Sequence, residues 1–423
     1  MASAWTSRYR LALTVGVLAG LAIRAWMLPM PGYVGDIDQF VAWVRHIADN
    51  GLPRAYDEHL SFGPVMAYVW GFLGAIDPAF RTATDSSGIG LRVLMKLPAT
   101  LADLGLAAGV VYWFRARPAF AVTGAVGLLV IPATALVSAW WGQYESIFSL
   151  AALCALLLAK GGRDGLAVVA LTVALMTKPQ AAPLAIPFAA WFLARTDLVG
   201  LLRLGLVAAG TTVLLWLPFI PAGGPANYLG GLARFQDDFY AILSLNAWNF
   251  WWIVQDLVAH GGLVADNHAF VGPVTFRAIG YLMSGLLLLG IGYGIWRRPT
   301  PRMLALGLAA AALVAFTFLT TMHERYGYAA LVFLALTIDT RRAGVLAGVA
   351  ALVTSLNLVA AAGAAGYPVP AVPIGGPVGL IGAAATVGVA LALVREVLRA
   401  SAFSDGGTPP GTSAGSAGAT SAA

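Results

Sequence analysis

Cysteine, lysine and charged residues are all scarce in this sequence of 423 residues. The single cysteine, Cys154, excludes a disulfide framework, a four-cysteine zinc site and a cysteine-bound iron–sulfur cluster. Only 10% of the residues are charged, whereas a soluble domain has about 25%. Because 59% are hydrophobic, we expect a polytopic membrane protein that consists almost entirely of membrane domain.

Hydrophobic runs follow one another along most of the chain. Since a span needs about 20 apolar residues, the sequence predicts an all-α fold of about twelve transmembrane helices, in one domain over residues 1–400. The predicted spans are residues 11–30, 91–114, 120–138, 146–158, 166–177, 183–194, 201–220, 274–296, 303–321, 328–338, 344–362 and 375–394. The Gly- and Ser-rich residues 401–423 are predicted to be a disordered cytoplasmic tail.

Residues 31–90 are predicted to form one large outer loop whose helices lie on the membrane. The apolar stretch 63–76 is too short to cross a bilayer and has Pro64 at its start, so we interpret it as re-entrant or interfacial. With a cytoplasmic N-terminus, most arginines that flank the spans then face the cytoplasm, as the positive-inside rule requires. The net charge of +6 is therefore an orientation signal, and nucleic acid is not expected as a partner.

This loop is the most acidic part of the chain, and it opens with two carboxylates, Asp36 and Asp38. They precede an amphipathic pattern that contains Phe40, Trp43 and Ile47. A carboxylate at the membrane boundary is well placed to accept a proton from a hydroxyl group at that surface. One alternative is that a carboxylate caps the following helix. Another is that the Asp-x-Asp spacing holds a divalent cation.

Four further polar clusters fall on the same predicted outer face. They contain Trp141, Gln143 and Glu145; Lys178; Asn246, Trp248 and Asn249; and His323, Glu324 and Arg325. Tryptophans beside amides and a carboxylate suit sugar or acceptor binding, although aromatic belts at membrane interfaces look the same. Convergence of five clusters on one side indicates an active face.

The cations among these clusters have two interpretations. Lys178 and Arg325 lie at the outer membrane boundary, where either can bind a phosphate that protrudes from a lipid. The alternative is that their side chains extend toward lipid head groups. His323 and Glu324 would orient Arg325 or contact a sugar, or else serve only the local loop.

Charged residues also fall within the predicted spans, at Arg24, Arg92, Lys96 and Asp103. An intramembrane charge is costly, so it usually faces a cavity or a partner on another helix. For these charged residues, the sequence does not distinguish an ion pair between helices from a contact with substrate.

Four motifs together resemble the GT-C superfamily of integral-membrane glycosyltransferases, most closely its polyprenyl-phosphate-sugar-dependent branch. That branch includes the eukaryotic glucosyltransferases that act on dolichol-linked oligosaccharide, and many bacterial relatives. The matching elements are Gly35-Asp36 with Trp43 seven residues later, Trp141-Gly142-Gln143, Lys178-Pro179-Gln180 and His323-Glu324-Arg325-Tyr326. Their order and sidedness agree over roughly residues 10–340. The chain departs from the family pattern at Phe62-Gly63-Pro64, where relatives often have Tyr-Pro-Pro, and at Tyr144-Glu145, where an Asp is common.

The resemblance implies roles for particular residues. Asp36 would be the catalytic base, His323 and Arg325 would belong to the donor site, and Lys178 would assist there. Relatives that use lipid monophosphate sugars need no metal, so no cofactor is expected. The reaction would be inverting, because one base activates the acceptor hydroxyl and a phosphate leaving group needs no general acid.

The expected partners are a polyprenyl-phosphate sugar donor, membrane lipids and a glycolipid, glycan or protein acceptor. Alanine richness and the preference for arginine suggest a bacterial plasma membrane, with both termini cytoplasmic and the active site on the outer face. Mannose, glucose and arabinose donors all fit. The alternatives are a lipid or sugar transporter, which would show charged residues across the membrane and pseudo-symmetric halves, and a structural membrane protein.

Overall fold

The structure is a computed structural model that describes residues 5–236, 241–260 and 262–402. The described chain is mostly helical. Its α-helices are α1 (Ser7–Met27), α2 (Val34–Asn50), α3 (Pro64–Ile76), α4 (Ala79–Thr82), α5 (Ile89–Trp113), α6 (Pro118–Val130), α7 (Pro132–Ala135), α8 (Glu145–Lys160), α9 (Asp164–Leu175), α10 (Ala185–Arg195), α11 (Leu198–Trp216), α12 (Gly224–Arg234), α13 (Phe250–Ala259), α14 (Phe276–Arg297), α15 (Pro301–Phe318), α16 (Tyr328–Leu334), α17 (Arg341–Ala364) and α18 (Gly376–Ala402). A π-helical turn covers Leu136–Trp141, and 3₁₀ turns cover Leu52–Asp57, Pro179–Leu184 and Leu217–Ala222.

Seven helices in the described ranges are long and apolar enough to cross a membrane. They are α1, α5, α11 with its 3₁₀ extension, α14, α15, α17 and α18. An eighth span results if α6 and the segment Pro132–Trp141, which meet at a bend of 49°, are counted together. The prediction of about twelve spans, based on a length of about 20 apolar residues, is therefore not confirmed.

The other four predicted spans are helical but short. They correspond to α8, α9, α10 and α16, which have 16, 12, 11 and 7 residues. Helix α8 ends before Gly161 and Gly162, and Gly162 has a φ of +71°, a conformation that glycine adopts without strain. Pro179 and Pro183 shape the 3₁₀ turn between α9 and α10. Glycine and proline residues thus end the helices within hydrophobic segments. From hydrophobicity alone, these segments were predicted to be full membrane spans.

The loop from residue 31 to residue 90 folds around the amphipathic helix predicted there. Helix α2 buries side chains at helical spacing, among them Phe40, Trp43 and Ile47. Trp70 of α3 stacks beside two of them, with its ring centroid 5.8 Å from that of Phe40 and 5.1 Å from that of Trp43. Helix α3 has 13 residues, fewer than a span requires.

The described chain is mostly helical, as predicted, and it has two small sheets in addition. Strands β1 (Ser244–Leu245) and β4 (Met322–His323) pair in parallel, and β2 (Ala269–Val271) and β3 (Val274–Thr275) pair in an antiparallel hairpin. The parallel pair joins the segment after α15 to the segment before α13. It thereby fixes His323 beside the loop that contains Asn246.

Helix α18 extends to residue 402, two residues into the segment predicted to be a tail. The rest of the predicted tail, residues 403–423, lies outside the described residues.

A buried ion pair connects α1 to α5. The Nε and Nη2 atoms of Arg24 donate hydrogen bonds of 2.9 and 2.7 Å to one carboxylate oxygen of Asp103. Ser138 and Tyr328 donate to the same carboxylate. Arg24 also donates to the carbonyl oxygen of Leu129 on α6 at 2.5 Å. Both charges are therefore paired, which favours the interhelical pairing that the sequence left open over a substrate contact.

Like the Arg24–Asp103 pair, Lys96 makes structural contacts, in this case at the end of α1. Its Nζ donates to the carbonyl oxygens of Met30 at 2.6 Å and Leu28 at 3.3 Å. These carbonyls lie at the C-terminal end of α1, where helical partners are missing. Lys96 therefore stabilises the turn that leads into α2.

Replacing Asp103 by Asn is expected to destabilise the protein by about 3–5 kcal/mol, because the Arg24 charge would stay buried without its counter-ion. The free energy of unfolding in mixed micelles measures the effect. The control is Glu396→Gln, which breaks an exposed ion pair with Arg342 and should cost at most about 1 kcal/mol. Equal effects of the two substitutions would contradict the assigned role of Asp103.

Candidate active site

Asp36 lies in the first turn of α2, where the positive end of the helix dipole favours a carboxylate. Its carboxylate accepts hydrogen bonds from Trp141 Nε1 at 2.8 Å and from Gln143 Nε2 at 2.5 Å. The guanidinium of Arg325 lies 3.8 Å away. The side chain remains 30% exposed, so a substrate hydroxyl can reach it. The capping alternative is wrong for both aspartates, since Tyr33 holds the N-cap position.

The π-helical turn brings Trp141 and Gln143 to Asp36. Gly142 follows this turn with a φ of +81°, a left-handed conformation that favours glycine. The backbone N–H of Gln143 then donates to Val137 at 2.9 Å, which closes the turn. Single π-helical turns often occur at functional sites, and here the turn points an indole N–H and an amide at one carboxylate.

Lys178 lies just before the 3₁₀ turn Pro179–Leu184 and is buried. Its Nζ donates to Glu145 at 2.5 Å and to the amide oxygen of Gln143 at 3.1 Å. The rings of Phe62 and Tyr326 have their centroids 5.1 and 5.3 Å from the ammonium, within the range of a cation–π contact. Gln143 therefore bridges Lys178 and Asp36.

Gly63 brings the outer loop against the segment that precedes Lys178. Its N–H donates to the carbonyl oxygen of Thr177 at 3.1 Å, and a Cβ atom at this position would lie 2.1 Å from the carbonyl oxygen of Met176. Only glycine permits this approach of two backbones. The contact holds Phe62 against Lys178.

Arg325 lies between β4 and α16 and is also buried. Its Nη1 lies 3.4 Å from Glu324, and its Nε lies 3.6 Å from Glu145. The guanidinium carbon stands 5.0 Å from the ring centroid of Trp141. Arg325 and Lys178 together face three carboxylates, those of Asp36, Glu145 and Glu324, so the cations are balanced before any ligand binds.

These contacts set the ionisation of the cluster. Burial by itself raises the pKa of Asp36, but the Arg325 charge and the hydrogen bonds from Trp141 and Gln143 outweigh it and hold that pKa below 3.8. Burial lowers the pKa of Lys178, although the Glu145 carboxylate opposes this. Burial, aided by Arg325, also lowers the pKa of His323 below 6.5. Near neutral pH, Asp36 is therefore an ionised carboxylate and His323 a neutral imidazole.

A cavity of about 710 Å³ opens beside the cluster. Its lining includes the polar residues Asp36, Gln39, Gln143, Lys178, Gln180 and Arg325. It also includes side chains from α10, α14 and α15, most of them apolar, namely Ile186, Tyr281, Ser284, Leu288, Ala312, Ala315 and Phe316. The cavity can therefore accommodate a molecule with a charged head and a long hydrocarbon tail.

The predicted site residues divide into groups. Four of them line the cavity: Asp36, Gln143, Lys178 and Arg325. Behind these lie Trp141, Glu145, His323 and Glu324, which contact the lining residues. Glu145 is fully buried, and its contacts with Lys178 and Arg325 indicate a positioning role instead of the predicted sugar contact. His323 Nδ1 lies 3.8 Å from Glu324, whose carboxylate in turn contacts Arg325.

The structure does not bring the other predicted residues to the described lining of the cavity. Asp38 accepts hydrogen bonds from the backbone N–H and hydroxyl of Ser86, at 2.8 and 2.5 Å. Its interactions thus hold the end of the outer loop against α2.

The three predicted residues near β1 likewise have structural contacts. Asn249 caps α13 by accepting from the N–H of Trp252 at 2.9 Å, and Trp248 donates to Ile374 at 2.8 Å. The carbonyl oxygen of Asn246 accepts from Asn357 at 2.7 Å. The side-chain polar groups of Trp248 and Asn249 are thus engaged in the fold, whereas Asn246 is exposed and contributes its backbone carbonyl, so sugar binding by this segment stays a prediction.

Asp36 and Asp38 are not arranged to share a cation. Residues two apart lie on nearly opposite sides of a helix, and these two carboxylates have different hydrogen-bond partners. Within the described ranges, no group of three or more His, Cys, Asp or Glu side chains is placed to hold a metal ion.

Gln39 and Gln180 are polar residues of the cavity lining that were not among the predicted site residues. Gln39 stands one helical turn after Asp36, a spacing that predicts a shared face of α2. Gln180 belongs to the Lys178-Pro179-Gln180 element, and its amide oxygen is buried without a hydrogen-bond partner in the described structure. An unpaired buried acceptor that lines a cavity suits a ligand hydroxyl.

One comparison with known proteins identifies a family for this chain. The model of the ALG6, ALG8 glycosyltransferase family matches residues 60–364, which include Gln143, Lys178 and Arg325 but begin after Asp36. A search of curated proteins finds no match. Since the matched range covers well over half of the chain, this multi-pass membrane protein belongs to the ALG6, ALG8 glycosyltransferase family, and its chemistry is glycosyl transfer from a lipid-linked sugar to an acceptor.

Proposed function

We propose that the protein is an inverting glycosyltransferase that uses a polyprenyl monophosphate sugar as donor, with Asp36 as the general base. The observation that carries this proposal is the shared cavity. Asp36, Lys178 and Arg325 line it together with mostly apolar side chains from α10, α14 and α15.

These two groups of lining residues suit the two parts of such a donor. The phosphate would bind Arg325 and Lys178, with Glu145 and Glu324 holding these cations in place. The polyprenyl tail would lie along α10, α14 and α15. Each buried methylene group contributes about 0.8 kcal/mol, so a long tail supplies a large binding free energy.

The charge balance supports selection of lipid-linked donors. Because three carboxylates already face the two cations, the cluster has no excess positive charge to attract a free phosphate. Affinity must then come chiefly from the tail, while the cations orient the phosphate. We expect inorganic phosphate and soluble sugar phosphates to compete poorly with the donor.

The proposed reaction uses one base. Asp36 accepts the proton of an acceptor hydroxyl while the oxygen attacks the anomeric carbon. The bond from that carbon to the phosphate oxygen breaks, and its electron pair leaves with the polyprenyl phosphate. Arg325 and Lys178 stabilise the negative charge that develops there, so no general acid is required. Attack opposite to the leaving group inverts the anomeric configuration.

The location and the substrates belong to the same proposal. We place the reaction on the outer face of a bacterial plasma membrane, with cytoplasmic termini, because most arginines beside the twelve spans predicted from the sequence then face the cytoplasm. Mannose, glucose and arabinose are the candidate sugars, and a glycolipid, glycan or protein is the acceptor. Family membership favours transfer over the transporter alternative.

Transfer in nanodiscs tests the donor class. The purified protein is given radiolabelled mannose, glucose or arabinose on polyprenyl monophosphate, with a membrane extract as acceptor. We expect transfer from one of these donors, unchanged by EDTA, and inversion of the anomeric centre in the product. Parallel reactions contain the same sugar on a nucleotide or on polyprenyl diphosphate. Transfer that requires one of those donors, or a divalent cation, would overturn the proposal.

A further inference from the structure

Residues 244–275, which include α13 and the β2–β3 hairpin, carry very little charge. Among these 32 residues the only charged side chains are Asp256 and Asp266, whereas a soluble domain of this length has about eight. Asp266 is fully buried and accepts hydrogen bonds of 2.9 and 2.8 Å from Nε and Nη2 of Arg277. The surface of this segment is therefore almost uncharged, unlike that of a loop in water.

Large apolar side chains occupy exposed positions in the same segment. They are Leu257, Val258, Leu263, Phe270, Val271 and Val274. Both α13 and the hairpin pack on Phe276, the first residue of α14, since the rings of Trp251 and Phe270 are centred 6.0 and 5.4 Å from its ring. The two elements are thus neighbours at the start of α14. Large exposed apolar surface of this kind marks a site of contact with a membrane or another protein.

Contacts of α13 place this segment at the ends of two candidate spans. A Cβ atom at Gly379, in the first turn of α18, would lie 2.8 Å from Nε1 of Trp252. Trp251 Nε1 donates a hydrogen bond of 2.8 Å to the carbonyl oxygen of Phe318, the last residue of α15. Both α15 and α18 are long and apolar enough to cross a membrane. Helix α13 therefore lies beside the span ends, at the level of the membrane boundary, and not beyond them.

Helix α14 continues the exposed apolar surface toward the membrane interior. Leu282, Leu286 and Leu289 are exposed, and because they are spaced by four and three residues they form one stripe. Strand β3 ends at Thr275, directly before α14, so no polar linker separates the hairpin from this stripe. The exposed face of residues 244–275 is thus continuous with the lipid-facing surface of a candidate span.

Asp266 connects this segment to the candidate active site. The hydroxyl of Thr320 donates to its carboxylate at 2.7 Å, and Thr320 lines the cavity that contains Asp36. Arg325 follows five residues later. The segment therefore lies at the end of the helix bundle that carries the candidate active site.

We infer that residues 244–275 form a membrane-inserted unit, with the apolar face of α13 and the hairpin in the lipid leaflet on the side of the candidate active site. Amphipathic elements of this kind lie at the boundary between head groups and acyl chains, about 5–10 Å deep. Because the unit contains no lysine or arginine, apolar contact holds it there and attraction to anionic lipids does not. The inference does not depend on the proposed function.

Fluorescence quenching in nanodiscs tests the insertion. Cys154→Ser removes the single native cysteine, and Phe270→Cys or Val271→Cys then carries an environment-sensitive fluorophore in the full chain. The quenchers are iodide in the water and phosphatidylcholine spin-labelled either near the head group or near the methyl end of its acyl chain. We expect the shallow spin label to quench at least about twice as strongly as the deep one, because an interfacial element stays near the head groups. Iodide should quench weakly.

Three further labelled positions serve as a replicate and two controls. Leu257→Cys tests α13 independently of the hairpin and should show the same pattern. Leu286→Cys, midway along α14, should reverse the order of the two spin labels. Glu58→Cys, at a side chain of the outer loop that is 60% exposed, should be quenched by iodide and by neither lipid.

Three outcomes would overturn the inference. If iodide quenches the labels on α13 and the hairpin as strongly as the label at Glu58, and lipid does not, water or a partner protein covers this face. If no quencher reaches them, the chain itself covers it. Insertion that occurs only when phosphatidylglycerol is added to the nanodisc would show that anionic lipid, and not apolar contact, holds the unit. None of these measurements needs a sugar donor or acceptor, so a failure of the proposed function leaves the test intact.

Discussion

Asp36→Asn should reduce sugar transfer by about 10²- to 10⁴-fold, the contribution typical of a positioned general base. Asparagine has the size of aspartate, and its amide oxygen can still accept the hydrogen bond from Trp141. It cannot take a proton from the acceptor hydroxyl. The loss should therefore appear in kcat, while binding of the polyprenyl-phosphate sugar changes little.

The matched control is Asp38→Asn, the second carboxylate of the same Asp-x-Asp pair. Asp38 binds Ser86 and not the cavity residues, so this variant should keep most of the activity. Insertion and folding are checked by size-exclusion chromatography of both variants. Near-normal transfer by Asp36→Asn would remove Asp36 from the base role, and equal losses in both variants would indicate a structural effect.

Arg325→Gln should lower transfer by about 10²-fold or more, because it removes a buried cation from the proposed position of the leaving phosphate. It also removes the main charge that holds the pKa of Asp36 below 3.8. A base must be deprotonated to act, so activity is lost as the pH falls through its pKa. Because Asp36 stays ionised, its protonation should not lower the wild-type kcat/KM between about pH 7 and pH 5. In the variant, the acid limb should move to higher pH.

A conservative substitution and a correction for the amount of folded protein distinguish the catalytic role of Arg325 from its role in stability. Arg325→Lys restores the charge without the planar fork of the guanidinium and should recover only part of the rate. Arg325→Gln leaves Glu145 and Glu324 less well compensated, so the rates of both variants are compared per folded molecule. Arg81→Gln, at a side chain that is 56% exposed, is the control. An unchanged pH profile in Arg325→Gln would show that Arg325 does not set the ionisation of Asp36.

Sequence motifs predicted the centre of the candidate site. Asp36, Gln143, Lys178 and Arg325 are far apart in the chain, yet the structure brings them to one cavity. The membrane-protein class and the family followed from hydrophobic runs and from these motifs. They could be predicted because each motif combines unusual residue types with a fixed place relative to a span.

The number of spans could not be predicted in the same way. Hydropathy records how apolar a segment is, but Gly161, Gly162, Pro179 and Pro183 decide where helices stop. The segment around Trp248 and Asn249 shows a second limit. Tryptophan and asparagine suit sugar binding and also suit helix capping and buried hydrogen bonds, and only the three-dimensional contacts distinguish these tasks.

The role of Glu145 shows a third limit. Its place two residues after Gln143 suggested a sugar contact, but the side chain points to Lys178 and Arg325 behind the cavity wall. Sequence spacing places a residue near a site without giving its direction. Gln39 was missed because a single glutamine carries little signal until the cavity that it lines is known, and Gln180 was noted only as part of the Lys178-Pro179-Gln180 element.

The Asp103 carboxylate has an implication for engineering the protein. Its partners belong to three segments: α1, which leads to Asp36; the π-helical turn, which leads to Gln143; and α16, which begins three residues after Arg325. A chimera can take its first helix from a relative that has no arginine at position 24. The Asp103 carboxylate would then be buried without its counter-ion, beside the other two segments. Domain grafting in this protein therefore has to transplant all four network members together.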